Sequence, residues 1–328
     1  MVSRHDVTAQ ALWYVAEGRI ELRSEKLGPC PDDEHVLLRA LFSGVSRGTE
    51  RTVSAGRVPS SEFSRMRCPH QAGEFPYPVK YGYALVGEVE AGPADLVGRT
   101  VFALHPHQDR VCLPVADVRP LLEGLPPRRA VLAANMETAL NILWDGNVSA
   151  GDRVLVVGGG VVGLLVAALA RDAGAAVTVV DIRDERAAPS RALGVGFARP
   201  DAAPGEQDIV IHTSASEAGL ALALDSARFE GAIVEASWYG DLMPRVALGG
   251  AFHSRRLRLV SSQVGAVSPG HRAEWSHARR LGRALELLCD RRFDVLLGED
   301  IPFAEAPALL PDVLARADSH RMPVLRYT

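Results

Sequence analysis

Three glycines, Gly158, Gly160 and Gly163, follow the apolar run Val154-Leu155-Val156-Val157 and lead into a second apolar stretch of helical character. That spacing suits a strand, a tight turn and a helix, with a separate task for each glycine. The first lets the strand turn sharply, the second lets the backbone approach a pyrophosphate, and the third lets the helix pack closely on the strand. An anion placed there meets the free N–H groups and positive end of a helix that begins near Val161 and Val162. A second β-type run, from 176 to 181, ends in the carboxylate of Asp181. Its distance from Gly163 is close to the roughly 20 residues expected of a ribose-binding acid. Asp181 is expected to accept from the adenosine ribose hydroxyls and to repel a 2′-phosphate, which favours NAD over NADP. Ile182 and Arg183 complete that edge, and Arg183 or Arg186 is the group that would swing toward a phosphate. The plain alternative is a glycine-rich turn between core elements.

The elements that must position these residues follow from the surrounding pattern. Strand-like runs at 154–157, 176–181, 209–213, 232–237 and 257–261 alternate with helical or mixed segments. Such alternation predicts an α/β fold with a doubly wound parallel sheet. Ligands bind such sheets beyond the carboxyl ends of the strands, which places Thr213, Ser214, Ser237, Trp238 and Ser262 along the dinucleotide. Upstream, runs at 11–15, 20–23, 36–43, 85–91, 100–103 and 110–114 have β-type composition between Gly, Pro, Asp and Ser clusters. They predict a β-rich, partly closed unit. The polar segment 54–81 is long for a loop inside a compact domain, and loops of that length are usually functional, here as the cover of a cleft. A helix is expected over 129–144 and another over 272–289, then a strand near 296–301, a helix near 304–315 and a last strand at 323–327. The resulting division assigns residues 1–125 and 290–328 to one domain and 126–289 to the other.

Composition narrows the function classes. A chain of 328 residues is long for one ordinary core. Its hydrophobic share of 47% and charged share of 23% are those of a globular protein. A net charge of -4, with acids and arginines interspersed, provides no footprint for nucleic acid or an anionic membrane. The segment from Met1 to Glu17 has no sustained apolar core of the kind a secretory signal needs. The four cysteines, at 30, 68, 112 and 289, show no CxxC and no clustering, so free thiols in a reducing, cytoplasmic setting are expected.

The order of parts resembles the medium-chain dehydrogenase/reductase superfamily, the relatives of zinc alcohol dehydrogenases. The resemblance rests on Ser43-Gly44-Val45-Ser46-Arg47-Gly48-Thr49-Glu50, Gly82-Tyr83-Ala84-Leu85-Val86-Gly87-Glu88-Val89, Gly98-Arg99-Thr100-Val101-Phe102, Thr138-Ala139-Leu140 and the glycine turn. It implies a GroES-like β-rich domain, a Rossmann NAD(P)-binding domain, an active site in the cleft between them, and hydride transfer. It further implies a homodimer formed through the last strand of the Rossmann sheet, near Leu257 to Ser261. In zinc members a Cys, a His and a Cys or Glu hold the metal, whereas the matching positions here are Ser46 or Arg47, Tyr83 and Ala134. The four-cysteine structural-zinc lobe is also missing. The chain is therefore similar to a zinc-lacking branch of the bacteriochlorophyllide dehydrogenase type. A rival metal set, Cys68, His70, His105 and His107, offers four donors, although loop imidazoles are more often solvated.

Without a Lewis acid, a reacting oxygen needs a hydrogen-bond donor or a positive group. By its place in the resemblance, Tyr83 is a phenol that could donate to the substrate oxygen, or else a ring filling a vacated metal pocket. Thr49 matches the hydroxyl that begins a proton relay, or bonds its own turn. Arg47 and Glu50 flank it and could pair with each other. His107 precedes a strand and is the best-placed imidazole for acid/base work, with a solvated rim histidine as the alternative. Glu137, near the vacated third-ligand position, would act as a proton donor if buried there, or else pair structurally. The expected activity is a zinc-independent, NAD(H)-dependent oxidoreductase interconverting an alcohol and a ketone or aldehyde on a small organic substrate. A zinc-free, NADPH-dependent ene or imine reductase is the alternative, and a non-catalytic dinucleotide-binding protein the second.

Overall fold

The computed structural model describes residues 7–28, 34–316 and 320–328. The chain divides into two compact units, one made of residues up to Ala134 with Leu297–Ala317 and Met322–Thr328, the other of Asn135–Leu296 with Asp318–Arg321.

In the first unit β1 (Val7–Ala16) and β2 (Arg19–Leu27) form an antiparallel pair, and β3 (His35–Gly44) leads into α1 (Arg47–Ser54). Two short strands, β4 (Ala72–Gly73) and β5 (Val79–Lys80), precede β6 (Leu85–Ala91), β7 (Thr100–Ala103), β8 (Arg110–Pro114), β9 (Val118–Pro120) and α2 (Pro127–Ala130). The segment 54–81, expected as a loop, is thus partly ordered, and it buries Val58, Cys68, Phe75, Val79 and Tyr81. The second unit opens with α3 (Ala133–Asp145), β10 (Arg153–Val157) and α4 (Val161–Asp172). It continues through β11 (Ala176–Val180), α5 (Ala187–Ala192), β12 (Gly196–Ala198), β13 (Gln207–His212), α6 (Glu217–Ser226), β14 (Ala227–Glu235), β15 (Arg258–Ser261) and α7 (His277–Leu287). The chain then returns to the first unit as β16 (Leu297–Pro302), α8 (Ala306–Ala315) and β17 (Met322–Arg326).

The first unit carries two sheets, in the orders β2-β1-β5-β4 and β16-β17-β3-β6-β7-β9, with β8 paired to β3. In the second, six parallel strands run in the order β12-β11-β10-β13-β14-β15, a doubly wound Rossmann sheet whose order reverses between β10 and β13. The apolar runs follow from burial on both faces of a parallel sheet. Val154 to Val157 are all buried, as are Ile209, Val210 and Ile211 beside them.

Three expectations are corrected. The helix over 129–144 is two helices separated at Val131–Leu132, where the Leu132 N–H donates to the Arg129 carbonyl at 3.1 Å instead of continuing the i to i−4 ladder. The helix expected from 272 starts at His277, because the Ser276 hydroxyl caps it by accepting from the Arg279 N–H at 3.1 Å. Cys112 on β8 is disulfide-bonded, so the cysteines are not all thiols; Cys68 is a buried thiol, and Cys30 lies outside the described residues. Among the described residues no helix is long and apolar enough to cross a membrane.

Candidate active site

In the β-rich unit the candidate residues gather at the start of α1. Glu50, one turn into that helix, reaches back so that its Oε1 accepts the Ser46 N–H at 2.7 Å, in the manner of a capping box. Its Oε2 accepts from the Tyr14 hydroxyl at 2.7 Å and from His107 Nε2 at 2.9 Å. With Nε2 as donor, Nδ1 accepts from the Ser43 hydroxyl at 2.7 Å, and Ser43 in turn meets the Tyr327 hydroxyl at 2.9 Å. Glu50 and His107 are both 0% exposed. Burial, and then the Glu50 charge, hold the Tyr14 hydroxyl protonated well beyond the usual phenol range. His107 is therefore not a solvated rim imidazole, because two buried partners occupy both ring nitrogens. Gly82, at φ +126°, makes room for that ring: a Cβ there would stand 2.9 Å from its Cδ2 and Nε2.

Beside this sealed chain, Tyr83 and Thr49 are half-buried. The Tyr83 hydroxyl donates to Thr49 Oγ1 at 3.1 Å and also engages Ser46. Burial pushes the Tyr83 phenol up to about 12, so it stays a neutral donor through the ordinary pH range. Its ring meets Tyr81 edge-on, with centroids 6.1 Å apart, and Tyr81 continues to Phe75 and Phe63. The segment 54–81 thus contributes an aromatic wall. Arg47 does not pair with Glu50, whose oxygens are taken; it donates to the Arg316 carbonyl instead.

Neither metal set fits Zn²⁺. Ser46, Tyr83 and Ala134 offer a hydroxyl, a protonated phenol and a methyl group, where zinc takes thiolate, imidazole or carboxylate. In the rival set, His107 is committed to Glu50 and Ser43. The His70 Nε2 faces Asp117 at 3.1 Å, the His105 Nδ1 faces the Pro106 carbonyl at 2.8 Å, and burial pushes the Cys68 thiol up to about 12. Among the described residues no cluster of three or more His, Cys, Asp or Glu could hold a metal.

The Rossmann unit carries the dinucleotide candidates. Gly158 turns at φ +113°, and Gly160 is the N-cap of α4 without a side chain in the way. A Cβ at Gly163 would come within 2.0 Å of the Gly158 carbonyl, so only glycine lets this helix approach the strand. Thr213 Oγ1 donates to the Gly158 carbonyl at 2.9 Å and holds the turn from below. This cradle fits a pyrophosphate at the open amide end of α4, beside Val161 and Val162. Asp181 accepts the Gly159 N–H at 2.7 Å and the Arg183 N–H at 2.9 Å, with Arg186 3.9 Å away. Ile182 is 69% exposed beside it. Ser262 donates to Asp145 at 2.6 Å, Ser237 accepts the Ala215 N–H at 3.0 Å, and Trp238 is half-buried just past β14. Glu137, read as a proton donor or else a structural partner, is paired with the buried Arg280 guanidinium at 3.0 Å, a structural ion pair.

Sequence reasoning missed His212 and Glu235, the last residues of β13 and β14 and register partners across them. The signal was present: each is a lone polar residue closing an apolar run, Ile209-Val210-Ile211-His212 and Ile233-Val234-Glu235.

Residues 133–218 match the family described as Alanine dehydrogenase/PNT, C-terminal domain, which takes in the glycine turn. An uncharacterized zinc-type alcohol dehydrogenase-like protein of Escherichia coli K12, YphC, is 31% identical over 173 residues, 49% of this chain and 47% of that protein. The chain thus matches about half the length of this curated relative. A structure described as a zinc-binding dehydrogenase of Sinorhizobium meliloti 1021, bound to NADP, superimposes with TM-score 0.75 at 19% identity, over 98% of this chain and 99% of the other. The chain has the medium-chain dehydrogenase/reductase fold. A second structure with this fold, an alcohol dehydrogenase (rspB) of Escherichia coli CFT073 complexed with NADH, gives TM-score 0.76 at 14% identity, over 97% and 99% of the two chains. Relatives of the medium-chain fold thus include holders of either dinucleotide, and the glycine turn and Asp181 stand in the strand order that this fold requires.

Proposed function

We propose that the chain is a zinc-independent NAD(H)-dependent oxidoreductase that interconverts a small organic alcohol and its ketone or aldehyde. A bound nicotinamide dinucleotide supplies or accepts the hydride at its C4. The glycine turn and α4 hold its pyrophosphate, and Asp181 holds the adenosine ribose and favours NAD over NADP. With substrate bound, the Tyr83 hydroxyl turns its hydrogen from Thr49 to the substrate oxygen, and Thr49 and Ser46 then donate to the phenol oxygen and resupply the proton. The observation that carries this reading is Tyr83 itself: a neutral phenol on Thr49 at the position where the resemblance places a metal-binding imidazole. Exposed Leu259 on β15, at the edge of the sheet, supports a homodimer along 257–261.

The test is metal content by mass spectrometry with NADH and NADPH titrations on the same purified sample, followed by Tyr83→Phe. Metal-free protein that prefers NADH is expected. Tyr83→Phe should then lower kcat by roughly 10²- to 10⁴-fold, the range of a general acid, with dinucleotide affinity unchanged. Stoichiometric zinc overturns the metal-free reading. Tighter NADPH binding moves the ene or imine reductase to first place, and tight binding without turnover of carbonyls, enones or alcohols favours a non-catalytic dinucleotide-binding protein.

A further inference from the structure

His212 and Glu235 meet across neighbouring parallel strands, with Nδ1 2.7 Å from Glu235 Oε2. That contact fixes the tautomer: Nδ1 carries the proton and donates, so the Nε2 lone pair is free to accept. Nε2 lies 2.6 Å from Ser214 Oγ. The carboxylate is itself held in place, since its Oε1 accepts the Ser237 N–H at 2.8 Å and its Oε2 accepts from the Tyr239 hydroxyl at 3.3 Å. The imidazole is 0% exposed, Glu235 is 17% exposed and Ser214 is open to solvent. A sealed base and an accessible hydroxyl are what a nucleophilic serine requires.

A second observation comes from the helix that follows. Gly219, in the first turn of α6, faces the Ser–His contact. A Cβ there would stand 2.3 Å from Ser214 Oγ and 2.7 Å from His212 Nε2, so α6 leaves open the one space where the two can meet. Ser216 lies 2.8 Å from Ser214 Oγ, but its hydroxyl caps α6 by accepting the Gly219 N–H at 3.0 Å.

We propose that Ser214, His212 and Glu235 form a charge-relay triad that makes Ser214 Oγ a nucleophile toward small activated acyl esters and phosphonates, an activity separate from hydride transfer. Ser214 Oγ forms a bond to the acyl carbon while its proton passes to His212 Nε2. As the bond to the leaving alcohol breaks, Nε2 returns that proton to the alcohol oxygen. Water then attacks the acyl carbon, giving its proton to Nε2, and Ser214 departs as the hydroxyl by taking that proton back. No oxidant or reductant is involved. Glu235 stabilises the imidazolium that forms in each half.

The test is reaction of the full-length protein with a fluorophosphonate probe, with the adduct located by peptide mass spectrometry. An adduct on Ser214 is expected. It should vanish in Ser214→Ala and form roughly 10²- to 10⁴-fold more slowly in His212→Gln, the range of a general base. Gly219→Ala changes none of the three residues but pushes a Cβ into the Ser214–His212 contact, so it should slow labelling too. Circular dichroism establishes that each variant is folded. An unlabelled wild-type protein, an adduct on Ser216 or elsewhere, or labelling unaffected by His212→Gln in folded protein each overturns the proposal. Ser214 lies where the dinucleotide is expected, so labelling is run on protein freed of dinucleotide, and failure there is separate from failure of the oxidoreductase reading.

Discussion

Each unit contains a chain of serine, histidine and glutamate, and in each a glycine makes room for the histidine. Ser43, His107 and Glu50 form the one, with Gly82 beside the ring; Ser214, His212 and Glu235 form the other, with Gly219. The same residue types do different work because burial and ring orientation differ. In the β-rich unit the ring donates from Nε2 to Glu50, the serine is 0% exposed and Tyr327 closes the far end. No substrate reaches that serine, and the chain instead fixes Ser46 and, through the turn of α1, the Tyr83–Thr49 pair. In the Rossmann unit the ring donates from Nδ1 and the serine is exposed. A hydrogen-bonded triad is therefore a scaffold when sealed and a candidate for chemistry when one end is open.

The largest expected effect comes from removing the acids. Glu50→Ala strands the Tyr14 hydroxyl, His107 and the Ser46 N–H in a fully buried place, and should cost about 3–5 kcal/mol in urea denaturation. Glu235→Ala leaves a partly exposed site that water can reach, and about 1–3 kcal/mol is expected. Equal losses would break the comparison.

The glycines give the next contrast. Gly82→Ala forces a side chain against the His107 ring at a positive φ and should destabilise by about 1–3 kcal/mol. Gly219→Ala meets two hydroxyls that can rotate and the His212 ring, but at an ordinary helical φ, so a thermal melt should move less than with Gly82→Ala while probe labelling falls.

A further contrast is a pH dependence, carried in the β-rich unit by His105. Burial holds the His105 imidazole down to about 3, against an ordinary 6.5, with Lys80 and His70 adding to the shift. The unfolded chain takes up this proton first, so stability is complete above about pH 6.5 and falls as pH drops through the window toward 3. His105→Asn should flatten this acid limb in pH-dependent denaturation; an unchanged slope would show that other groups govern it.

Much of the architecture was legible because strands of both units are bounded by Gly, Pro, Asp and Ser clusters, and because Val154 to Val157 and the glycines after it fit only one turn. The two-residue strands β4 and β5 were not, since neither is long enough to show alternation. At the candidate site, Thr213, Ser214 and Ser237 could be placed by the rule that ligands sit past strand ends. The two His–Glu pairs could not. Glu50 and His107 belong to a helix and a loop with no shared period, and His212 and Glu235 meet only once the parallel register of β13 and β14 is known. Burial overturned both expectations for His107, acid/base work and a solvated rim, for the same reason: a histidine before a strand reads as accessible until its partners are seen.

Arg280 gives a last consequence. Its guanidinium, 1% exposed, donates to Glu137 and Asn141 of α3 and to the carbonyls of Val264 and Ala266. Pulling α7 away from α3 would take Glu137 and Asn141 from this buried cation and leave it on two backbone carbonyls with no opposing charge. Partial opening of one helix is therefore suppressed, and the amide hydrogens of α3 and α7 should exchange with solvent as a single cooperative block despite their distance in sequence. One buried cation thus works as a rivet that couples the first helix of the Rossmann unit to its last.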